Sequence, residues 1–154
     1  MHYHFASKQE VLAAAMDDAV RRAFERQREA LREEDDARAR LELLIDHQVP
    51  DTGQVRREWS VWLQVWAESA LRPDLRAVHH RYYQGWRSVV ERTIVRGQRQ
   101  GVFRPVDAAA VATRFTALAD GLGIQVATGS PTITGPQMRR ILTEFVAAEL
   151  LPSS

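Results

Sequence analysis

At 154 residues, 45% hydrophobic and 27% charged, the chain is long enough for one domain with its own core and has the composition of an ordinary globular protein. A net charge of +1, with Asp and Glu interleaved among the arginines, excludes a general basic field for nucleic acid, and zero cysteines exclude a disulfide framework, a Cys-based metal site and a thiol nucleophile. No apolar run approaches the roughly eighteen residues of a membrane span and no signal-peptide pattern is seen, so no membrane partner is expected and the expected location is the cytoplasm.

The chain opens with Met1-His2-Tyr3-His4-Phe5-Ala6, a short aromatic and His-rich stretch. It runs into a helix start, in which Ser7 is a good N-cap and Glu10 completes a capping box. From Lys8, the only lysine, the apolar residues Val11, Leu12, Ala15, Met16, Ala19, Val20, Ala23 and Phe24 recur at three- and four-residue spacing. That is one face of a long amphipathic helix, expected to end near Glu33. Glu34-Asp35-Asp36 makes a poor C-terminus and a good N-cap for the next helix.

A second, shorter helix carries Leu41, Leu44, Ile45 and Gln48 and stops before Pro50-Asp51-Thr52-Gly53. A third covers roughly 55–70, with Trp59, Trp62, Leu63, Trp66, Ala67 and Ala70 as its apolar stripe. Three tryptophans on one stripe are notable in a chain that has four. Pro73 opens a fourth helix, which runs to about Gln100 and stops at Gly101-Val102 in a Schellman pattern. Its inner face is Leu75, Val78, Tyr82, Trp86, Val89, Val90 and Ile94.

Pro105 and Asp107 start a fifth helix that ends at Gly129-Ser130-Pro131. It is apolar nearly all round, the pattern of a helix buried on more than one side. Thr134 and Gln137 form another capping box and open a sixth helix with Met138, Ile141, Leu142, Phe145 and Val146 on one stripe. No strand pattern or internal repeat is present. The architecture is all-α, a bundle of about six helices.

Few residues suggest reaction chemistry. Adjacent His79 and His80 point about a hundred degrees apart on a helix and share a metal poorly. No Ser-His-Asp or paired-carboxylate arrangement, no glycine-rich phosphate loop and no His-x-x-x-His spacing is visible, so neither an enzyme nor a cofactor is expected.

The aromatic Tyr-His-Phe turn, the small residue after it, the Ser-Lys pair and the Leu four residues on resemble one place in one family. In TetR-type helix-turn-helix regulators this is where the recognition helix ends and the first helix of the regulatory domain begins. The resemblance implies that residues 1–6 are the remnant of a DNA-binding domain and residues 7–154 a ligand-binding and dimerisation domain. It also implies that His2, Tyr3, His4 and Lys8 belong to a surface that contacts backbone phosphates, which sets register without reading sequence. Having His2 where tyrosine is more usual resembles the His-Tyr-His-Phe subgroup. Two helices and most of a third would precede this point in the family. Operator DNA is therefore an expected partner only where that N-terminus is present, and the chain as written is not expected to bind an operator.

The segment from Glu58 through Gln125 is similar to the C-terminal ligand domain of the BetI-type branch, in which a cavity lies between the central helices. The resemblance implies a lining of Trp59, Trp62, Trp66, Tyr82, Trp86 and Phe115, with Leu44 and Leu63 between them and Ala119 beside them. Such a wall suits a small hydrophobic effector or an organic cation over ring faces. His47, Tyr83, Gln64 and Asp120 are candidate polar handles, each equally compatible with a plain surface or core role. TetR-like regulators pair through their last two helices. The expected homodimer interface is accordingly Val111, Leu118, Leu122, Met138, Ile141, Leu142 and Phe145; the other reading of the same residues is that they close the monomer core.

The mechanism implied is a two-state switch, in which ligand shifts the first helix and changes the spacing of the dimer's recognition helices. The expected function is thus a ligand-responsive TetR-type transcriptional regulator, in the main a repressor. The alternative is a free-standing helical ligand-binding or dimerisation module without DNA binding.

Overall fold

The computed structural model describes residues 7–153, which form six helices and no strand: α1 (Lys8–Leu31), α2 (Ala37–Gln48), α3 (Gly53–Ser69), α4 (Pro73–Arg99), α5 (Ala108–Ala127) and α6 (Gly135–Leu150). The all-α expectation holds, and most boundaries lie where the capping chemistry sets them. Ser7 Oγ accepts from the Glu10 N–H, Asp36 from Ala39, Thr52 from Val55 and Asp107 from Ala110. Thr134 and Gln137 complete a reciprocal capping box at the start of α6.

Two helix ends are closed by glycine. At the end of α4, Gly101 takes φ 71°, the Val102 N–H reaches Gly97 O at 2.9 Å and the Gly101 N–H reaches Gln98 O at 3.1 Å. Gly129, at φ 79°, repeats the arrangement after α5. Both are Schellman motifs, whose left-handed residue glycine adopts without a steric cost. α1 ends at Leu31, two residues before the expected Glu33. The cause is tertiary: the Arg40 guanidinium takes the Leu31 and Glu34 carbonyls at 2.8 and 2.7 Å, satisfying acceptors that a further turn would have used.

α4 is the central element and packs against α1, α2, α3 and α5. It divides the interior into two hydrophobic clusters. The larger joins α2, the second half of α4, α5 and α6 around Leu41, Leu44, Trp86, Ile94, Phe115, Met138 and Leu142. The smaller joins α1, α3 and the first half of α4 around Met16, Trp59, Trp62, Val65, Leu75 and Val78. Tyr82 packs against both.

Two stripes differ from their sequence patterns. On α3 the buried line is Val55, Trp59, Trp62, Val65 and Ser69, whereas Ala67 and Ala70 are exposed and Leu63 and Trp66 half-buried. α3 meets α1, α4 and α5 at once, so its inner face is broader than the tryptophan stripe and centred elsewhere. On α1, Val11 and Ala15 are exposed, and the inward face continues through Met16 to Gln27 and Leu31.

The expected dimer residues divide in the same way. Val111, Leu122, Met138 and Leu142 are at most 7% exposed and sit in the larger core, so they close the monomer and offer little to a partner. Leu118, Ile141 and Phe145 are half-buried at its edge. Nor is α5 apolar all round: Ala109, Thr113, Ala117, Gly121 and Gln125, each four residues from the last, form an exposed strip of small and polar side chains.

Candidate effector site

A cavity lies where the two clusters meet, between α1, the end of α2, α3 and the middle of α4. Its volume, taken as the space open to the centre of a water molecule, is about 50 Å³, enough for a few waters or one small head group. Trp59 and Trp62 from α3, with Tyr82 and Trp86 from α4, supply its aromatic wall. His47 and Gln48 border it at the end of α2, and the Arg26–Glu58 ion pair borders it between α1 and α3. Opposite the rings lies α1, through Met16, Ala19, Val20 and Ala23.

Five residues of the expected lining therefore border the cavity: His47, Trp59, Trp62, Tyr82 and Trp86. Leu44, Phe115 and Ala119 do not. They are at most 1% exposed inside the larger core, Leu44 on the buried face of α2 and the other two because α5 turns this face toward α2, α4 and α6. Leu63 points off the inner face of α3, and Trp66 packs beside the cavity against Tyr83, with ring centroids 6.5 Å apart and planes at 18°. What the sequence reading missed is the contribution of α1. Its signal was the pair of small residues at Ala19 and Ala23, one turn apart, which leaves room where larger side chains would fill the space.

The aromatic wall continues away from the cavity. Trp62 lies 3.7 Å from Tyr82 and 6.2 Å from Tyr83 by ring centroids, and it stacks on His79 at 5.9 Å and 12°. Beside Tyr83 of this cluster Asp120 projects from α5, only 7% exposed and, among the described residues, without an ion pair. Burial pushes its carboxyl up to about 7, and the Tyr83 hydroxyl beside it offsets this only in part. One of its carboxylate oxygens, Oδ1, has no hydrogen-bond partner. The same carboxylate raises both Tyr82 and Tyr83 above the ordinary phenol range, second only to their burial. Burial also pushes the His79 imidazole down, so the ring stacked on Trp62 favours its neutral form.

Among the other candidates, Gln64 is exposed and Tyr83 half-buried. His47 Nδ1 bonds to Leu43 O at 2.8 Å. Lys8 is exposed in the first turn of α1, whereas His2, Tyr3 and His4 lie outside the described residues. Among the described residues no three His, Asp or Glu side chains come close enough to hold a metal, and no helix is long and apolar enough to cross a membrane.

Residues 37–151 match the family described as the BetI-type transcriptional repressor, C-terminal. Among solved structures, a transcriptional regulator from Saccharomonospora viridis in complex with choline is 45% identical with a TM-score of 0.93, covering 99% of this chain and 79% of that one. A TetR-family regulator from Rhodococcus sp. is 26% identical with a TM-score of 0.83, covering 95% and 77%. A TetR regulator from Haloarcula marismortui shares the fold at 23% identity and a TM-score of 0.85, covering 97% and 82%. A comparison with curated proteins gives no match. With a six-helix bundle, a cavity against its first helix and this family match over most of its length, the chain belongs to the TetR family of transcriptional regulators, in the branch with a BetI-type C-terminal domain.

Proposed function

We propose that this chain senses a small organic cation, of the quaternary ammonium class, within a homodimeric regulator of transcription. The observation that carries this is Asp120. A buried carboxylate without an ion pair is costly, and natural folds keep one where a bound cation or a proton compensates it. Asp120 acts directly on Tyr82, and Tyr82 borders the cavity. Trp62 and Tyr82 border the cavity, and aromatic ring faces attract a desolvated cation. The relative from Saccharomonospora viridis, crystallised with choline, supports this class.

The signal would leave through α1. A ligand against Ala19, Val20 and Ala23 touches the helix that follows the DNA-reading segment in the family, so a preference for one position of α1 becomes a preference for one spacing of the recognition helices. Pairing would use the outer edge of α5 and α6, where Leu118, Ile141 and Phe145 border the small-residue strip. Repression of operator DNA in the cytoplasm, with no enzymatic step, completes the reading.

The test is tryptophan emission of the purified chain titrated with choline and with tetramethylammonium, alongside its mass by light scattering. A dimer whose emission changes saturably supports the proposal. Emission indifferent to every quaternary ammonium compound would sink the cation assignment, and a monomer at all concentrations would sink the pairing.

A further inference from the structure

α1 and α4 lie side by side and run the same way, since Arg81 pairs with Asp17 near one end and Arg96 with Asp35, just past α1, near the other. A groove of about 1070 Å³, taken as the space open to the centre of a water molecule, follows this seam, bordered by eight arginines and a single carboxylate, Glu25. At its first end Arg21 and Arg81 are already neutralised, Arg21 by Asp18 and Glu25 at 2.6 and 2.8 Å and Arg81 by Asp17 at 3.0 Å. The other end differs. There α1 contributes Arg28 and Arg32, α2 contributes Arg40, and α4 contributes Arg92, Arg96 and Arg99. Arg28, Arg92 and Arg99 are exposed and, among the described residues, have no ion pair. Arg32 reaches Glu29 and Glu33 only at 3.5 Å, and Arg40 bonds to the Leu31 and Glu34 carbonyls in place of a carboxylate. Burial lowers the Arg40 guanidinium below its ordinary value, and the charges of Arg96 and Arg92 lower it further, while Asp35 and Glu34 pull the other way.

We infer that the α2 end of this groove binds a compact anion with several phosphate or carboxylate groups, bridged between Arg28 and Arg32 on α1 and Arg92, Arg96 and Arg99 on α4. Like charges that the fold holds together repel, and a multivalent anion removes that cost. Guanidinium forks pair with two oxygens of one phosphate or carboxylate at a time, so both oxyanions suit the site. An extended polyanion suits it less. The first half of the seam is neutralised by the chain's own carboxylates, which leaves a long acidic segment little to pair with there. The lining also holds only one aromatic ring, Phe24, which packs on Tyr82, so single-stranded bases find no stacking platform. The site is separate from the cavity above, since the two share only Phe24 and Gln27.

The probes are tripolyphosphate and citrate, titrated by calorimetry into the whole chain at fixed ionic strength, with orthophosphate for comparison. At least one is expected to bind about tenfold more tightly than orthophosphate, and the tighter of the two tells whether phosphate or carboxylate is the natural group. Arg28→Gln, Arg92→Gln and Arg99→Gln should each weaken that probe about five- to tenfold. Arg87→Gln removes an exposed arginine of α4 that does not border the groove, and should change binding by less than about twofold. All four positions are exposed, so the variants are expected to fold, which circular dichroism checks. Failure of both probes to bind, an equal loss in Arg87→Gln, or no loss in the three groove variants overturns the site. Tighter binding of oligothymidine or of poly-glutamate than of either probe overturns the compact-anion class.

Discussion

The α-carbon of Gly123 on α5 lies directly against the Trp59 indole of α3, so close that a Cβ at this position would overlap the ring. This contact fixes one wall of the cavity, because Trp59 is clamped between Gly123 and its hydrogen bond to Gln48 O. Gly123→Ala is expected to destabilise the fold by about 1–3 kcal/mol through overpacking. It should also weaken ligand binding, since the displaced ring borders the cavity. Urea denaturation and a choline titration read the two effects; unchanged values for both would mean that the backbone yields instead.

Asp120 predicts a pH dependence of defined sign. Its folded-state value of about 7 lies above the ordinary carboxyl value of 3.8, so the folded chain holds this proton more tightly than the unfolded one. Its contribution to stability is fully present below about pH 4, is lost as pH rises from there to 7, and leaves a constant cost above that. Asp120→Asn should therefore raise stability at pH 8, by at most about 4 kcal/mol, and bring no gain at pH 4. Affinity for choline should rise between pH 6 and 8 in the unaltered chain and stay flat in the variant. A variant no more stable at pH 8 than at pH 4, relative to the parent, would contradict this.

Core and edge positions on α6 should respond differently. Leu142 is fully buried, and Leu142→Ala is expected to cost about 2–5 kcal/mol in thermal or urea unfolding. Ile141→Glu and Phe145→Glu place a charge at the outer edge, and the expected outcome is a monomer by light scattering with its helical circular dichroism intact. A mass unchanged in both Glu variants would move the dimer surface elsewhere.

Filling the cavity from α1 should silence the site without harming the core. Ala23 borders the space and is half-buried, so Ala23→Leu has room for its side chain only where a ligand would sit. Choline-dependent tryptophan emission should disappear while the melting temperature stays the same or rises. Persistence of the response would mean that the ligand binds away from α1.

The sequence determined the helices of this protein, because their boundaries are local chemistry. Ser7, Asp36, Asp107 and Thr134 cap the helix they precede, and Gly101 and Gly129 end a helix by adopting the one conformation that closes it cheaply. Hydrophobic period likewise determined that Leu75, Val78, Trp86, Val90 and Ile94 face inward on α4.

Only the tertiary structure decided what each face meets. A period of 3.6 defines a direction on a helix but not the number of neighbours that share it. α3, lodged among α1, α4 and α5, buries Val65 and Ser69 where its pattern pointed to Ala67 and Ala70. Phe115 and Ala119 fit a ligand wall equally well by spacing, yet the packing of α5 on α4 and α6 puts them in the core. The small side chains of α1 become a cavity wall only because nothing else fills the space opposite Trp62 and Trp86. The unpaired state of Asp120 is likewise a property of the fold, since whether a cation stands beside a carboxylate depends on residues far from it along the chain.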